Sequence, residues 1–389
     1  MKIAVIGAGA SGLMAAVFAA RNGASVTIYE HNSAPGRKLL LTGNGKCNLG
    51  NTVLTKEAYH SESDRNRFIE GFLSNNTYSD LIRDFESLGL LIRERDGLLY
   101  PYSEQGRSVL EVLLREVSGL KVDIRYSVDI YRGVSGKGNG FVIFEDYYDK
   151  LIICSGGKSF KETGSDGSGH EIAKKFGHSV IPLMPSLVQL YTDMPDFKDM
   201  SGIRVKAGIR YKDLSEYGEI QFTDRGISGI PVFQISGRVV RDGFSEKSIV
   251  HINFFADKSR DEVINLISNN LKAYRGNAKE KVLLGLLPDK IIGYCIKHGK
   301  TDFSSSESVY DYFCDFKVRI TGNHSLQNAQ VTSGGIPLYE IREDFSSAIC
   351  ENLYFAGEIL DVDGKCGGYN LHFAFESGKC AGINASKQV

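Results

Sequence analysis

Lys2-Ile-Ala-Val-Ile-Gly7-Ala-Gly9-Ala10-Ser11-Gly12-Leu-Met-Ala-Ala16 decides the fold of this chain. An apolar run leads into glycines spaced G-x-G-x-x-G and then into small, apolar helix formers. The stretch therefore reads as buried strand, tight turn and helix. Gly7 permits the turn, Gly9 lets a pyrophosphate come close to the backbone, and Gly12 lets the helix lie against the strand. The helix N-terminus, from Ala10 and Ser11, offers free N–H groups and the positive end of a dipole. A second apolar strand, Ser25-Val-Thr-Ile-Tyr-Glu30, ends in a carboxylate. Glu30 stands about 20 residues beyond the turn, where an acid hydrogen-bonds a ribose 2′-hydroxyl. An acid there, rather than an arginine, disfavours a 2′-phosphate. The ligand is thus FAD or NAD, and the glycines do not separate the two.

At 389 residues, with 42% hydrophobic and 24% charged residues, the chain has the composition of an ordinary globular protein of two or three domains. A net charge of −1 argues against a nucleic-acid partner bound by bulk electrostatics. Seven scattered cysteines with no C-x-x-C suggest neither a zinc site nor a dithiol pair, so no metal is expected. The longest apolar stretch, near Leu13 to Ala20, is too short to span a bilayer, and no secretory pattern precedes the first strand. The expectation is a cytoplasmic protein without a membrane partner.

Beyond Glu30 lies a basic, glycine-studded segment with Arg37, Lys38, Gly43, Asn44, Gly45, Cys47 and Asn48, suited to an anion through successive N–H groups and charge. Residues 64–90 and 108–118 show helical periodicity, and Val122 to Ile130 alternates like a strand. Gly133 to Gly140 reads as a hairpin turn, because a strand and not a helix follows it. Asp149 to Gly157 is a buried strand whose Gly156 and Gly157 bring backbone close to a ligand at the carboxyl edge of the sheet. Asp166 reads as a turn or cap before a helix from His170 to Phe176, with a ligand contact as the alternative. From about Ser186 the texture becomes alternating and antiparallel, then helical from a capping pattern at Ser259 to Glu262. The earlier style returns in Cys350 to Glu358, followed by a glycine-rich entrance to a helix over Leu371 to Ala385. The expected architecture is α/β. A discontinuous Rossmann-like domain (1–186 and 326–389) carries an inserted β-barrel-like and helical unit (187–325).

Four strings resemble the HI0933-like (YhiN, BaiN/RdsA-type) family of FAD-dependent oxidoreductases, among the two-dinucleotide-binding-domain flavoproteins. They are Gly36 to Asn48, Thr163 to Gly169, Gly218 to Gly229 and Gly357 to Asn370. The resemblance implies FAD rather than NAD. Gly7 to Gly12 would hold the pyrophosphate and Glu30 the adenosine ribose, and the backbone of Val128 would meet the adenine edge. Gly357, Glu358 and Asp361 would lie near the ribityl chain and second phosphate. Gly368, Tyr369, Asn370 and Leu371 would aim a helix N-terminus at the flavin pyrimidine. Gly50 and His372-Phe373 depart from the family's usual Thr/Ser and Gln-Trp.

No triad, paired-carboxylate site or metal constellation emerges, and catalytic residues are unassigned apart from His372, a weak acid–base candidate beside the flavin. The other histidines, among them His170, His251 and His324, read as structural, and Cys47 and Cys366 as unreactive. With no second G-x-G-x-x-G unit, NAD(P)H, if used, binds transiently over the flavin. The expected activity is an NAD(P)H-using reductase of a small organic acceptor, such as an activated C=C bond. The alternative is an oxidase of a small amine or amino ketone that forms hydrogen peroxide. A flavoprotein acting on tRNA is a third reading, disfavoured by the neutral charge.

Overall fold

The computed structural model describes residues 1–65, 67–274, 279–299 and 301–387. They form two compact units, residues 1–184 with 326–389 and residues 185–325.

In the first unit, β1 (Lys2–Ile6), α1 (Ala10–Arg21) and β2 (Ser25–Tyr29) follow as the opening sequence dictates. Three further strands, β3 (Asp123–Arg125), β4 (Lys150–Ile153) and β5 (Leu353–Phe355), complete a sheet of order β5-β4-β1-β2-β3. Every pairing is parallel, with Ile3 opposite Val26 and Lys150, and Ile153 opposite Phe355. Ile3 to Ile6 and Leu151 to Ile153 are buried without alternation, as a sheet covered on both faces requires.

The C-terminal helix α2 (Tyr369–Ser386) lies directly on α1. A Cβ on Gly378 would stand 2.2 Å from the Ser11 carbonyl oxygen, and one on Gly382 2.3 Å from that of Ala15. These two glycines let the helix backbones touch. The end of the chain is thereby fastened over the first turn of its beginning.

Local structure departs from the periodicity in two places. Residues 64–90 hold two helices, Phe68–Asn75 and Tyr78–Ser87. Thr77 starts the second: its hydroxyl accepts from the Asp80 amide at 3.3 Å while the Asp80 carboxylate accepts from the Thr77 amide at 3.0 Å. The run from Val122 to Ile130 is strand only over Asp123–Arg125, because Ser127 takes φ of 57° and turns the chain. The turn lets the Ser127 and Val128 amides donate to Asn32 and Glu30 carbonyls. Val134–Lys137 and Gly140–Ile143 form an antiparallel hairpin, so the glycines there serve a turn.

The second unit holds a seven-stranded antiparallel sheet. Its order is Phe316–Arg319, Ile249–Asn253, Arg204–Tyr211, Leu214–Thr223, Gly226–Ser228, Leu190–Tyr191, Gly322–Asn323. The helix Ile230–Arg241, which sequence periodicity missed, packs on this sheet, with Pro231 in its first turn. Later helices include Arg260–Ala273, where the Ser259 hydroxyl accepts from the Glu262 amide at 3.3 Å, and Asp289–His298 and Ser306–Cys314. The unit has its own core around Phe222, Phe254, Phe313 and Ile252.

Candidate functional site

A parallel sheet brings the ends of its strands to one edge. Here the residues just past β1, β2 and β4 are Gly7, Glu30 and Cys154, and Gly357 and Glu358 follow β5 after Ala356. The three glycines after β1 differ in what surrounds them. Gly7 has φ of 98°, and a Cβ on it would stand 2.6 Å from the Cys154 carbonyl oxygen. A Cβ on Gly12 would stand 1.9 Å from the Gly7 carbonyl oxygen. At Gly9, the N-cap of α1, a Cβ would meet nothing within 4 Å. Two glycines are thus packed against backbone, and the third opens on space at a helix N-terminus.

That space continues into a cavity of about 410 Å³ lined by Gly7, Gly9, Glu30, Asn32, Ser155 and the Thr163–Ser168 loop. Glu30 is buried and accepts hydrogen bonds from the Ala8 amide (2.7 Å), the Asn32 amide (2.8 Å) and the Asn32 side chain (2.8 Å). Its carboxylate therefore braces the glycine turn while facing the cavity. Asn32 also donates to the Thr163 carbonyl at 2.9 Å, tying in the 163–168 loop. In that loop Asp166 accepts from the Ser168 amide at 2.9 Å, a turn leading into the helix Ser168–Lys175, and also lines the cavity. The Ser155 hydroxyl, in the cavity wall, has no hydrogen-bond partner. Val128 lies outside the lining, and its amide is taken by the Glu30 carbonyl at 3.1 Å.

The basic segment divides. Arg37 donates to Asn32 Oδ1 at 3.0 Å, beside the same loop. Lys38 turns the other way: Nζ lies 2.6 Å from Glu358 Oε2 and 2.7 Å from Ser159 Oγ. Glu358 also accepts from Ser159 Oγ (2.9 Å) and the Thr332 amide (2.7 Å), while Thr332 Oγ1 accepts from the Lys158 and Ser159 amides. A Cβ on Gly157 would strike Thr332 Oγ1 at 2.4 Å, so Gly157 is packed under this network. Gly156, with φ of 73°, lies against Ser165 Oγ. Gly43 and Asn44 both take positive φ in the turn Thr42–Gly45, and Gly45 follows with φ of 83°. Cys47 is buried, its thiol pushed up to about 12 by burial, so it is packing.

Asn48 reaches the far end of the site. With its amide nitrogen toward the Gly50 and Leu99 carbonyls (2.8 and 3.1 Å), its oxygen accepts from the Gly368 amide at 3.2 Å. It thereby anchors the N-cap of α2, where Gly368 has φ of 93° and no room for a Cβ beside the Gly50 carbonyl. Asn370 clamps the same turn through both Gly364 backbone groups at 2.8 Å. Gly357 donates its amide to Ser377 Oγ at 2.9 Å, and its φ is 79°. Asp361 is fully buried. Its Oδ2 accepts from Ser63 Oγ (2.6 Å) and Ser61 Oγ (3.0 Å), and its Oδ1 has no hydrogen-bond partner. Burial raises its pKa above the ordinary carboxyl value. The segment Tyr59–Ser63, which sequence reading passed over, is laid along residues 361–370: Tyr59–His60 pairs with Asp363–Gly364, and the Tyr59 hydroxyl donates to the Tyr369 carbonyl at 3.2 Å. Only tertiary pairing reveals it, since nothing local marks those serines.

His372 faces inward. It is fully buried, edge-on to Phe72, with Nδ1 3.2 Å from the Tyr59 hydroxyl, and burial pushes its pKa down to about 4. It is a neutral core residue in this arrangement, closed off from solvent. His170 is likewise buried and contacts the Ile359 carbonyl at 3.1 Å, and His251 pairs with Asp315. Among the described residues no cluster of His, Cys, Asp and Glu could hold a metal, and no helix is long and apolar enough to cross a membrane.

A Rossmann-like sheet with a glycine turn, a strand-end acid and a second glycine-rich helix entrance defines a dinucleotide-binding fold, and the family match makes it that of an FAD-dependent oxidoreductase. The model of the HI0933-like protein Rossmann domain matches residues 1–384, and the chain belongs to that family. It is 35% identical to a 3-dehydro-bile acid delta(4,6)-reductase of Clostridium scindens, covering 100% of this chain and 99% of the relative. It is 30% identical to a ribosomal RNA dihydrouridine synthase of Haemophilus influenzae, covering 99% of this chain and 98% of that one. Among solved structures, a 3-ketosteroid-delta4-(5alpha)-dehydrogenase from Rhodococcus jostii has a TM-score of 0.50 at 14% identity. The match covers 99% of this chain and 96% of that one, and it speaks for the fold alone.

Proposed function

We propose that this protein is a reductase of a carbon–carbon double bond conjugated to a carbonyl group, with FAD as its resident cofactor and NAD(P)H as electron donor. One observation carries the reaction class: relatives with different named substrates share one chemistry. A 3-dehydro-bile acid with Δ4,6 unsaturation is a dienone, and uridine becomes dihydrouridine by saturation of the C5=C6 bond conjugated to its C4 carbonyl. The near-neutral charge supports a small-molecule acceptor over a polyanion.

The residues present fit FAD. The open space at Gly9 would receive the pyrophosphate against the α1 N-terminus, with Glu30 beside the adenosine ribose. The orphaned Asp361 Oδ1 is an acceptor suited to a ribityl hydroxyl. The α2 N-terminus, held by Asn48 and Asn370, would face the flavin pyrimidine and favour negative charge there. Bound FAD supplies two-electron transfer, while the protein orients it and excludes water. The Lys38–Glu358 pair fixes the loops that frame the site rather than offering a free cation.

The test is an anaerobic titration of the purified protein with NADH and NADPH, followed by visible absorbance, and then addition of 4-androstene-3,17-dione. Bleaching by a nucleotide and recovery of the yellow colour with the enone are expected. Recovery with an unmodified ribosomal RNA transcript, and not with the enone, moves the acceptor to RNA. A flavin that stays yellow with both nucleotides, together with hydrogen peroxide formed from an amine, replaces the reductase reading with the oxidase.

A further inference from the structure

We propose that His60 is the proton donor of the reduction, oriented by Asp363; this rests on the reductase reading above. His60 Nδ1 lies 3.2 Å from Asp363 Oδ1. A carboxylate can only accept, so Nδ1 donates to Asp363, and Nε2, on the more exposed side beside the Glu62 carboxylate, is the nitrogen that exchanges its proton. Asp363 is buried, at 5% exposure, and the Ser333 hydroxyl donates to the same oxygen at 2.7 Å, so the carboxylate is held from behind. The imidazole itself is about one-third exposed (32%), unlike His170, His178 and His372, which are closed off. Glu62 lies 3.3 Å from Nε2 on an exposed side chain and can return a proton from solvent.

The position of the dyad makes it relevant to the site. Asp363 is two residues beyond Asp361, whose free oxygen is assigned above to a ribityl hydroxyl, and His60 adjoins Ser61, which donates to Asp361. His60 pairs with Asp363 across a two-stranded ribbon, and the next pair joins Tyr59 to Gly364. Gly364 is clamped by Asn370 in the first turn of α2. The accessible imidazole thus belongs to the same few residues that would frame the flavin end of the cofactor.

Saturating a conjugated C=C adds two electrons and two hydrogens. FAD, when bound and reduced by NAD(P)H, would supply both electrons and one hydrogen for the β-carbon. The Nε2–H bond of the His60 imidazolium breaks and its proton forms the new C–H bond at the α-carbon. The neutral imidazole is then reprotonated from solvent by way of Glu62.

The experiment compares wild type with H60N, H60A and D363N. Flavin content and the rate of anaerobic bleaching by NAD(P)H should be unchanged in H60N, while reoxidation by 4-androstene-3,17-dione slows by roughly 100-fold or more. Added imidazole should restore part of that rate in H60A. The pH profile of wild-type reoxidation should carry a limb that H60N lacks, with Asp363, Glu62 and Asp361 the charged groups around the imidazole. Independently of turnover, ¹⁵N NMR of the histidine rings should show His60 protonated at Nδ1 in wild type and a mixture of tautomers in D363N. H60N that keeps pace with wild type, or a neutral His60 whose single hydrogen sits on Nε2 instead of Nδ1, overturns the assignment while leaving the reductase reading intact. A wild-type flavin that bleaches but never reoxidises, on the enone or on the RNA transcript, overturns both.

Discussion

The contrast between Gly9 and Gly12 gives a sharp prediction, because the same methyl group has opposite consequences three residues apart. At Gly12 the new Cβ would lie 1.9 Å from the Gly7 carbonyl oxygen, where at least 3.0 Å is needed, so backbone must move by about 1.1 Å. A carbonyl within a packed turn cannot rotate away as a side chain does. The cost belongs at the upper end of overpacking, ~2–3 kcal/mol, which lowers the unfolding midpoint of the ligand-free protein by roughly 4–12 °C. At Gly9 φ is −85° and ψ −167°, a conformation open to alanine, and the methyl meets nothing within 4 Å. The small capping loss is offset by reduced freedom of the unfolded chain, so the midpoint should move by no more than about 2 °C. The methyl would nonetheless stand where the pyrophosphate is expected, and FAD affinity should fall at least about tenfold, ~1.4 kcal/mol. Differential scanning fluorimetry of the flavin-free protein and fluorescence titration with FAD measure the two effects separately. G9A that binds FAD like wild type refutes the cradle, and G12A that melts like wild type refutes the packing argument.

Other perturbations are predicted on the same grounds. D361N keeps an acceptor for Ser61 and Ser63 and removes a buried charge, so the ligand-free protein should be at least as stable, yet FAD binding, read by equilibrium dialysis, should weaken about tenfold. K38M leaves Glu358 without its cation and should destabilise the protein by about 1–2 kcal/mol in urea unfolding, with partial recovery in K38M/E358Q. The pH dependence of stability contains two opposed terms on α2. Burial pushes the Glu376 carboxyl up to about 7 despite its ion pair with Lys379, so its contribution is present below about 4.5 and is lost as pH rises through 7. His372, pushed down to about 4 by burial, contributes above about 6.5 and loses that contribution as pH falls through 4. Each term has a slope of ~1.4 kcal/mol per pH unit where fully expressed, and they oppose one another between about 4.5 and 6.5. In E376Q stability should therefore rise with pH over that window more steeply than in wild type. An unchanged slope in urea unfolding from pH 4.5 to 6.5 counts against the buried-carboxyl account.

What was legible in the sequence was whatever depends on local spacing. The glycine turn, the strand-end acid Glu30 and the capping residue Ser259 announce themselves because turn, helix start and strand end each need particular residues within a few positions. The Rossmann-like class of the sheet follows from the same β–α–β reading, whereas its strand order comes from the fold. The family strings at 36–48 and 357–370 mark two segments far apart in the chain that both enter the candidate site, although nothing in either string says what it touches. Helix boundaries were less legible: Thr77 divides residues 64–90 by a capping bond that hydrophobic periodicity does not register.

Tertiary structure alone decided the rest. Lys38 reads as a free cation beside a phosphate loop, but folding carries it 320 residues along the chain to Glu358. His372 reads as a flavin neighbour, yet its helix turns it into the core, because one face of α2 must cover Phe72 while another meets α1 at Gly378 and Gly382. Most of all, the serines and histidine of residues 60–63 carry no local signal. They acquire chemistry only when a two-stranded ribbon lays them against Asp361 and Asp363, some 300 residues later. A sequence records the reach of its local interactions, and the site of this protein is made chiefly of long-range ones.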